Sequence, residues 1–482
     1  MRPPIVRLLV AGLATGGLLL ACSPRRTLAP KLPPETTVFV QGPVDTVSFK
    51  AHLYWFGTDP DGEVVGFELR FKHPDAPADT QWVRTTLTDS SFSVYTPTGV
   101  SRPVFEVRAI DDDGTRDPTP ATQTFTFRNL APTLAILSGP APSDTTFASV
   151  TVSWSASDPD GDIGRATYRL WLDGHEADPN VLTATTFTVP TDQFRQGGAL
   201  LSGPRSVFVQ AIDDAGYATP PQRRDWYVRA PVTGSRARLL IVDDEPGTGA
   251  PQVRQDTLFL NTAVRNLPAG TFTVLKLELT QPFRSTADLE QTFKLFDAVI
   301  WYRGPQGSGQ PILTNYRDGV ARYLESGGRF LIESQQVVQG QGATGIFPES
   351  WVSSYFGSDF LYKHSTDVPG DSSVAWGISF TQGGFPVILR STAFSDSLGM
   401  TLGGYGELRG FGVRDTQHVA VWARAGNLTQ GNAFDVPVAV TVPQPGGGRL
   451  LAFSFPIRSS NSFGSVPRFL ARVFQQMGLT GP

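Results

Sequence analysis

The sequence predicts a multidomain chain: two all-β sandwiches followed by an α/β doubly wound domain with a β-rich insertion. Three observations carry this. A tryptophan followed by Asp-Pro-Asp-Gly recurs after about 100 residues, the length of one sandwich. Short alternating strands broken by Gly, Pro and Asp turns surround both copies. In the second half, apolar strands alternate with helical segments, which is the pattern of a parallel sheet. The 482 residues give room for about three domains. With 40% hydrophobic and 17% charged residues, the chain is no disordered polyelectrolyte, and a net charge of -4 argues against a nucleic-acid surface. The single cysteine excludes intramolecular disulfides and thiolate metal clusters.

Residues 1–21 have the layout of a signal peptide. Arg2 and Arg7 precede an apolar run, Leu8 to Leu20, that is short for a membrane span. The run ends Leu19-Leu20-Ala21-Cys22. This resembles the lipobox of bacterial lipoproteins, which implies cleavage before Cys22 and acylation of its thiol, anchoring the chain to a membrane at the bacterial cell envelope. An ordinary signal peptide that happens to contain a cysteine is the other reading. Ser23 in place of Asp resembles the sorting pattern for the outer membrane. Residues 22–35 are proline-rich and polar and read as an extended tether, at about 3.1 Å per residue.

Residues 36–130 and 131–232 are the two copies. Tyr54-Trp55-Phe56-Gly57-Thr58-Asp59-Pro60-Asp61-Gly62 in the first answers Ser153-Trp154-Ser155-Ala156-Ser157-Asp158-Pro159-Asp160-Gly161 in the second. Strands Val65–Phe71 and Ala166–Leu172 follow, and Val104–Ile110 and Val207–Ile212 come later, ending in Asp111-Asp112-Asp113 and Asp213-Asp214. These residues resemble fibronectin type III-like modules, with Trp55 and Trp154 at the strand-B core position. The resemblance implies that the B–C and F–G loops share a pole, so Asp59 and Asp61 face Asp111, Asp112 and Asp113, while Asp158, Asp160 and Asp162 face Asp213 and Asp214. Clustered carboxylates of this kind are candidate Ca²⁺ ligands. The alternative is turn chemistry alone, with Asp accepting backbone N–H bonds and Gly taking positive φ. The glutamate that would complete an EF-hand is missing.

The second half, residues 236–482, begins with a buried strand Arg238–Val242 that ends in Asp243-Asp244-Glu245. A helix from about Pro251 to Leu267 follows, then strands Phe272–Leu279 and Phe296–Tyr302, a helix near Leu313–Leu324 and a strand Arg329–Ile332. Residues 338–445 read as a β-rich, loop-rich insertion. Strand Arg449–Phe455 returns to the sheet, and an amphipathic helix near Pro467–Met477 ends the chain.

The opening Leu239-Leu240-Ile241-Val242-Asp243-Asp244-Glu245-Pro246 is similar to that of response-regulator receivers. Those proteins place a phospho-acceptor Asp at the end of the third strand, where this chain has Tyr302, so the receiver reading is set aside. Three blocks, Phe296–Gly304, Tyr323–Ile332 and Gly447–Pro456, resemble class I glutamine amidotransferase-like domains, which implies a flavodoxin-like sheet. That family needs a cysteine nucleophile after the strand Phe330–Ile332. Here the turn reads Glu333-Ser334-Gln335-Gln336, and the only cysteine is Cys22. Ser334 lacks the flanking glycines of a nucleophile elbow, and the histidines of this half, His364 and His418, have no local tie to it. Asp243, Asp244 and Glu333 belong at the C-terminal sheet edge, where ligands of such folds bind, and with Ser334 and Tyr302 they form a candidate ligand site. The bland reading has them capping helices and loops. Trp301, Tyr302, Trp351, Tyr355, Phe356 and Tyr362 line a glycan cleft in one reading and the core in the other.

The expectation is therefore a non-catalytic, lipid-anchored envelope protein that presents a binding domain on sandwich spacers to a protein or glycan, with no cofactor unless the acidic loops take Ca²⁺. The alternatives are an envelope hydrolase working through Ser334 or the carboxylates, and a calcium-dependent adhesion module.

Overall fold

The computed structural model describes residues 31–480, apart from 41–46, 49, 74–80, 232–236, 246–249, 278–282, 304–311, 335–336, 338–344, 362–376, 380–385, 392–396, 402–406, 427–434, 456 and 458–464. It divides into two compact units, residues 1–128 and 129–482. Among the described residues no helix is long and apolar enough to cross a membrane.

The first unit is a β-sandwich. Strands Glu35–Val40, Lys50–Thr58 and Asp89–Ser93 form one sheet, and Val83–Thr85, Val64–Lys72, Val104–Asp111 and Ala121–Thr124 form the other, in that spatial order. Alternation along Lys50–Thr58 sends Ala51, Leu53 and Trp55 inward, where they meet Phe67, Leu69, Phe105 and Val107. The second sandwich repeats the arrangement within the second unit. Thr133–Ser138, Val150–Ser157 and Thr186–Val189 make its three-stranded sheet. Asn180–Leu182, Thr167–Leu172, Gly203–Ile212 and Gln222–Val228 make the facing one, extended at its edge by Thr145–Thr146. Trp55 and Trp154 are both buried, at 2% exposure. They are not equivalent in bonding. Trp55 Nε1 donates to Leu87 O at 2.8 Å, whereas Trp154 Nε1 is buried without a partner among the described residues.

The rest of the second unit is built on a nine-stranded sheet. Its strands are β1 (Ala237–Asp243), β2 (Phe272–Lys276), β3 (Phe296–Arg303), β4 (Arg329–Ser334), β5 (Pro386–Ser391), β6 (Ser397–Thr401), β7 (Ala420–Gly426), β8 (Asp435–Pro443) and β9 (Arg449–Phe453). The spatial order is β2-β1-β3-β4-β9-β8-β7-β5-β6. The first five are parallel and the last four antiparallel. The insertion thus supplies four strands that widen the main sheet, while Ser358–Leu361, Gly377–Ser379 and Glu407–Val413 form a small sheet of their own.

Helices cover both faces of the parallel strands. On one face α1 (Ala250–Asn266) and α5 (Ser465–Gln476) bring Phe259 and Phe469 onto Ile241, Ile300 and Leu451. On the other, α2 (Thr286–Phe293) and α3 (Arg317–Glu325) bring Phe293 and Leu324 onto Val242, Val299 and Ile332. α2 and α3 touch through Gly319, where a Cβ would lie 2.5 Å from Thr286 O. Glu290 on α2 ties the pair by accepting from Arg322 at 2.6 Å. A further helix, α4, would fall between α3 and α5 in the chain at Glu349–Phe356 and packs Trp351 and Phe356 inward.

The second sandwich and this sheet share one continuous core. Phe147 packs edge-on against Phe296 at the start of β3, with ring centroids 5.6 Å apart. The Arg229 guanidinium lies 5.1 Å from the Phe147 ring. The polar side of the junction is the N-terminus of α2. Ser285 Oγ caps the helix by accepting from Asp288 N at 3.0 Å, and it also lies 2.7 Å from Thr151 Oγ1 of the sandwich. Arg284 binds Asp144 at 2.5 Å. Asp288 is fully buried here and accepts from Arg284 N at 3.1 Å. Burial pushes its carboxyl from 3.8 up to about 6, against the pull of neighbouring Ser149 and Arg284; its charge also acts on Tyr316.

The folded state therefore prefers Asp288 protonated. Its contribution is fully present below about pH 4 and is lost as pH rises through about 6, a change of roughly 3 kcal/mol. Asp288→Asn should remove this share of the pH dependence. Urea unfolding at pH 4 and pH 7 should show the second unit of the variant losing less stability between the two than the unsubstituted chain loses.

Candidate functional site

The two acidic poles are built alike. In the first sandwich Asp59 and Asp112 both close on Gly62, where a Cβ would meet Asp59 Oδ2 at 2.5 Å and Asp112 Oδ1 at 2.6 Å. In the second, Asp158 and Asp214 close on Gly161 in the same way. Neither glycine has positive φ; that conformation belongs to Gly114 and Gly216 in the following loops. The expected role of the Asp-Pro-Asp-Gly glycines is therefore corrected: they are needed because carboxylates occupy the space of a side chain.

Most of the remaining aspartates bind backbone. Asp111 Oδ1 accepts from Asp113 N at 3.0 Å and Thr115 N at 2.6 Å, and Asp213 Oδ1 accepts from Ala215 N at 2.9 Å and Tyr217 N at 2.8 Å. Asn129 Nδ2 adds a bond to Asp213 Oδ2 at 2.8 Å. Asp61 accepts from Leu32 N and Asp160 from Leu130 N, so each sandwich pins its own entering segment with the second aspartate of the motif. Asp113 pairs with Lys31. Burial, with Asp158 beside it, raises the Asp160 carboxyl. Asp162 caps a short helical turn by accepting from Gly164 N. Among the described residues no group of three or more His, Cys, Asp or Glu side chains is arranged to hold a metal ion.

At the C-terminal edge of the parallel sheet, register separates the candidate residues. Asp243, Tyr302 and Glu333 stand side by side on β1, β3 and β4. Neighbours in a parallel row share a face, and this row lies on the α1/α5 face, where Tyr302 stacks on Phe259 at 5.4 Å. Asp244, one residue later, falls on the opposite face. There Trp301 Nε1 donates to Asp244 Oδ2 at 3.1 Å and Arg303 Nη1 donates to Asp244 Oδ1 at 3.1 Å. Ser334, in register with Arg303, belongs to this second row. The carboxylates of Asp243, Asp244 and Glu333 are thus not brought together.

Each has a structural partner. Asp243 Oδ1 accepts from Glu245 N at 3.0 Å, and Lys276 lies 3.6 Å from its other oxygen. Glu333 Oε1 accepts from Ile457 N at 3.0 Å. Ser334 is 1% exposed. His418 is bonded to Asp415 at 2.7 Å, and its side chain is 72% exposed. Tyr302, Trp301, Trp351 and Phe356 are core residues. Cys22, Tyr362 and His364 lie outside the described residues. Arg303 is the site residue that the sequence reading passed over. Its signal was a cation ending the wholly apolar strand Ala298–Tyr302, which demands a buried counter-charge.

Burial pushes the Asp244 carboxyl up to about 6, and Arg303 and Trp301 pull it back toward ionisation. Removing Asp244 takes from the buried Arg303 guanidinium the carboxylate that lies 3.1 Å from it. Asp244→Ala should cost about 3–5 kcal/mol, and adding Arg303→Met should recover most of it. Urea unfolding of the single and double variants measures both.

No family model and no curated protein matches the chain. Among solved structures it is similar to the fibronectin(III)-like modules of Clostridium thermocellum CbhA, at 16% identity over 40% of this chain and 94% of that one, with a TM-score of 0.20. It is similar to the PKD1 domain of Vibrio anguillarum Epp at 18% identity, over 20% of this chain and 96% of that one, TM-score 0.15. It is also similar to the chicken CNTN1 FN1–FN3 domains at 15% identity, over 42% and 67%, TM-score 0.19. The strand orders themselves make the described part of residues 31–231 two β-sandwiches.

Proposed function

We propose that the chain is a lipid-anchored protein of the bacterial cell envelope, held by acylated Cys22, that binds a protein or glycan without catalysing a reaction. In this reading the sandwiches are fibronectin type III-like. Residues 236–482 are a class I glutamine amidotransferase-like domain on a flavodoxin-like sheet, kept as a binding body. The parallel strand order β2-β1-β3-β4-β9 supports that kinship. The carrying observation is the sheet edge itself. Its carboxylates are divided between two faces and spent on Arg303, Lys276 and backbone amides, so the edge reads as a structural lock rather than a set of converging catalytic groups. The absence of any cysteine besides Cys22 agrees, because the family's nucleophile is a thiol.

Crosslinking of a tagged chain in intact cells tests this. The expected result is one envelope protein or glycan enriched over a Cys22→Ala control, with capture unchanged by Ser334→Ala. Turnover of an envelope glycan or peptide that Ser334→Ala abolishes without unfolding the chain would favour the hydrolase instead.

A further inference from the structure

The outer face of the four-stranded sheet in the first unit is basic. Strand pairing sets Glu68 opposite both Arg84 and Arg108, and Arg70 opposite Glu106. Phe67, Leu69, Phe105 and Val107 point into the core, so the residues alternating with them point outward. Glu68 accepts from Arg108 at 2.6 Å and from Arg116 at 3.1 Å. Glu106 accepts from Arg70 at 2.6 Å and also from Lys72. Both the Arg70 and Arg108 guanidinium carbons lie 4.2 Å from the Trp82 ring, which braces them over the sheet. Among the described residues five cations thus stand against two glutamates, and positive charge remains in excess among them once the ion pairs are made. Lys72 and Arg116 keep about half of their side-chain surface exposed, at 45% and 50%, and Arg84 is exposed as well.

The charge of this unit is arranged by place. Its acidic loops lie at the pole where the chain enters, since Leu32 N is bonded to Asp61 and Lys31 to Asp113. Residues 22–30, between Cys22 and that entry point, reach at most about 28 Å in polyproline II geometry.

We propose that this basic sheet face docks on an anionic phospholipid surface, so that the first sandwich lies along the membrane with its acidic, tethered pole at the side rather than against the headgroups. The proposal rests on the lipid-anchored reading. An acylated Cys22 keeps the sandwich within a tether's length of headgroups. Their phosphates attract the sheet and repel the aspartates, and guanidinium groups suit phosphate oxygens. A soluble acidic polysaccharide offers similar charge, but the anchor holds the headgroups, and not a soluble polymer, within reach of this face.

The test uses the full chain without its signal peptide and with Cys22→Ala, so that no acyl chain contributes. It is co-sedimented with vesicles of phosphatidylcholine, alone or mixed with phosphatidylglycerol. The chain should sediment with the phosphatidylglycerol vesicles only, and less so as salt rises. The combined Lys72→Gln, Arg84→Gln and Arg116→Gln variant should lower the partition coefficient roughly a hundredfold. Lys50→Gln, on the other sheet, should leave it unchanged. Arg70 and Arg108 are retained so that the Trp82 bracing survives, and an unaltered unfolding midpoint confirms the fold. Equal sedimentation with both vesicles, no sedimentation with either, or an unchanged triple variant would each overturn the proposal. Fractionation of the acylated chain against Cys22→Ala tests the anchor separately, so failure of the face and failure of the anchor are told apart.

Discussion

The contact of Phe147 with Phe296 joins two elements that the sequence presents as separate domains. Around it the apolar cores of the second sandwich and the nine-stranded sheet run together. A helix N-terminus ordinarily leaves amide groups for its own cap or for solvent. Here the cap of α2 also bonds the sandwich, because Ser285 Oγ reaches Thr151 while accepting from Asp288 N. The desolvated Asp288 at this point costs stability when ionised, and the surrounding apolar contacts offset that cost. The second sandwich is accordingly part of the body it adjoins rather than a free spacer before it.

Within each sandwich the same economy of carboxylates recurs. One aspartate of each pole is buried and binds two loop amides, one holds the entering chain, and two crowd a glycine. The two sandwiches share positions and also bonds: Asp61 with Leu32 is repeated as Asp160 with Leu130. They do not share everything, since the Trp55 indole N–H has an acceptor and that of Trp154 has none among the described residues. A buried donor without a partner costs about 1–3 kcal/mol, so the second core carries a burden that the first avoids.

Much of this was legible in the sequence, and the reasons for the rest are physical. Alternation around Trp55 and Trp154 revealed the sandwich strands because one face of each is wet. The buried strands β1, β3 and β4 stood out as continuous apolar runs for the opposite reason. α2 was missed: it has only eight residues, and its signal was the Ser285-to-Asp288 spacing of a cap. The insertion's four added strands could not be placed, because register with β9 is a long-range property. At the site, adjacency misled. Asp243 and Asp244 are neighbours in the chain and lie on opposite faces of the sheet, since successive strand side chains alternate. Arg303 was needed to see that Asp244 is half of a buried ion pair.

Residues 129–482 fold as one body through the junction at Phe147, Ser285 and Asp288. Scanning calorimetry of the full chain tests it most directly. Two cooperative transitions are predicted, one for the first sandwich and one for everything after it. A third transition, with the second sandwich melting apart from the nine-stranded sheet, would contradict it.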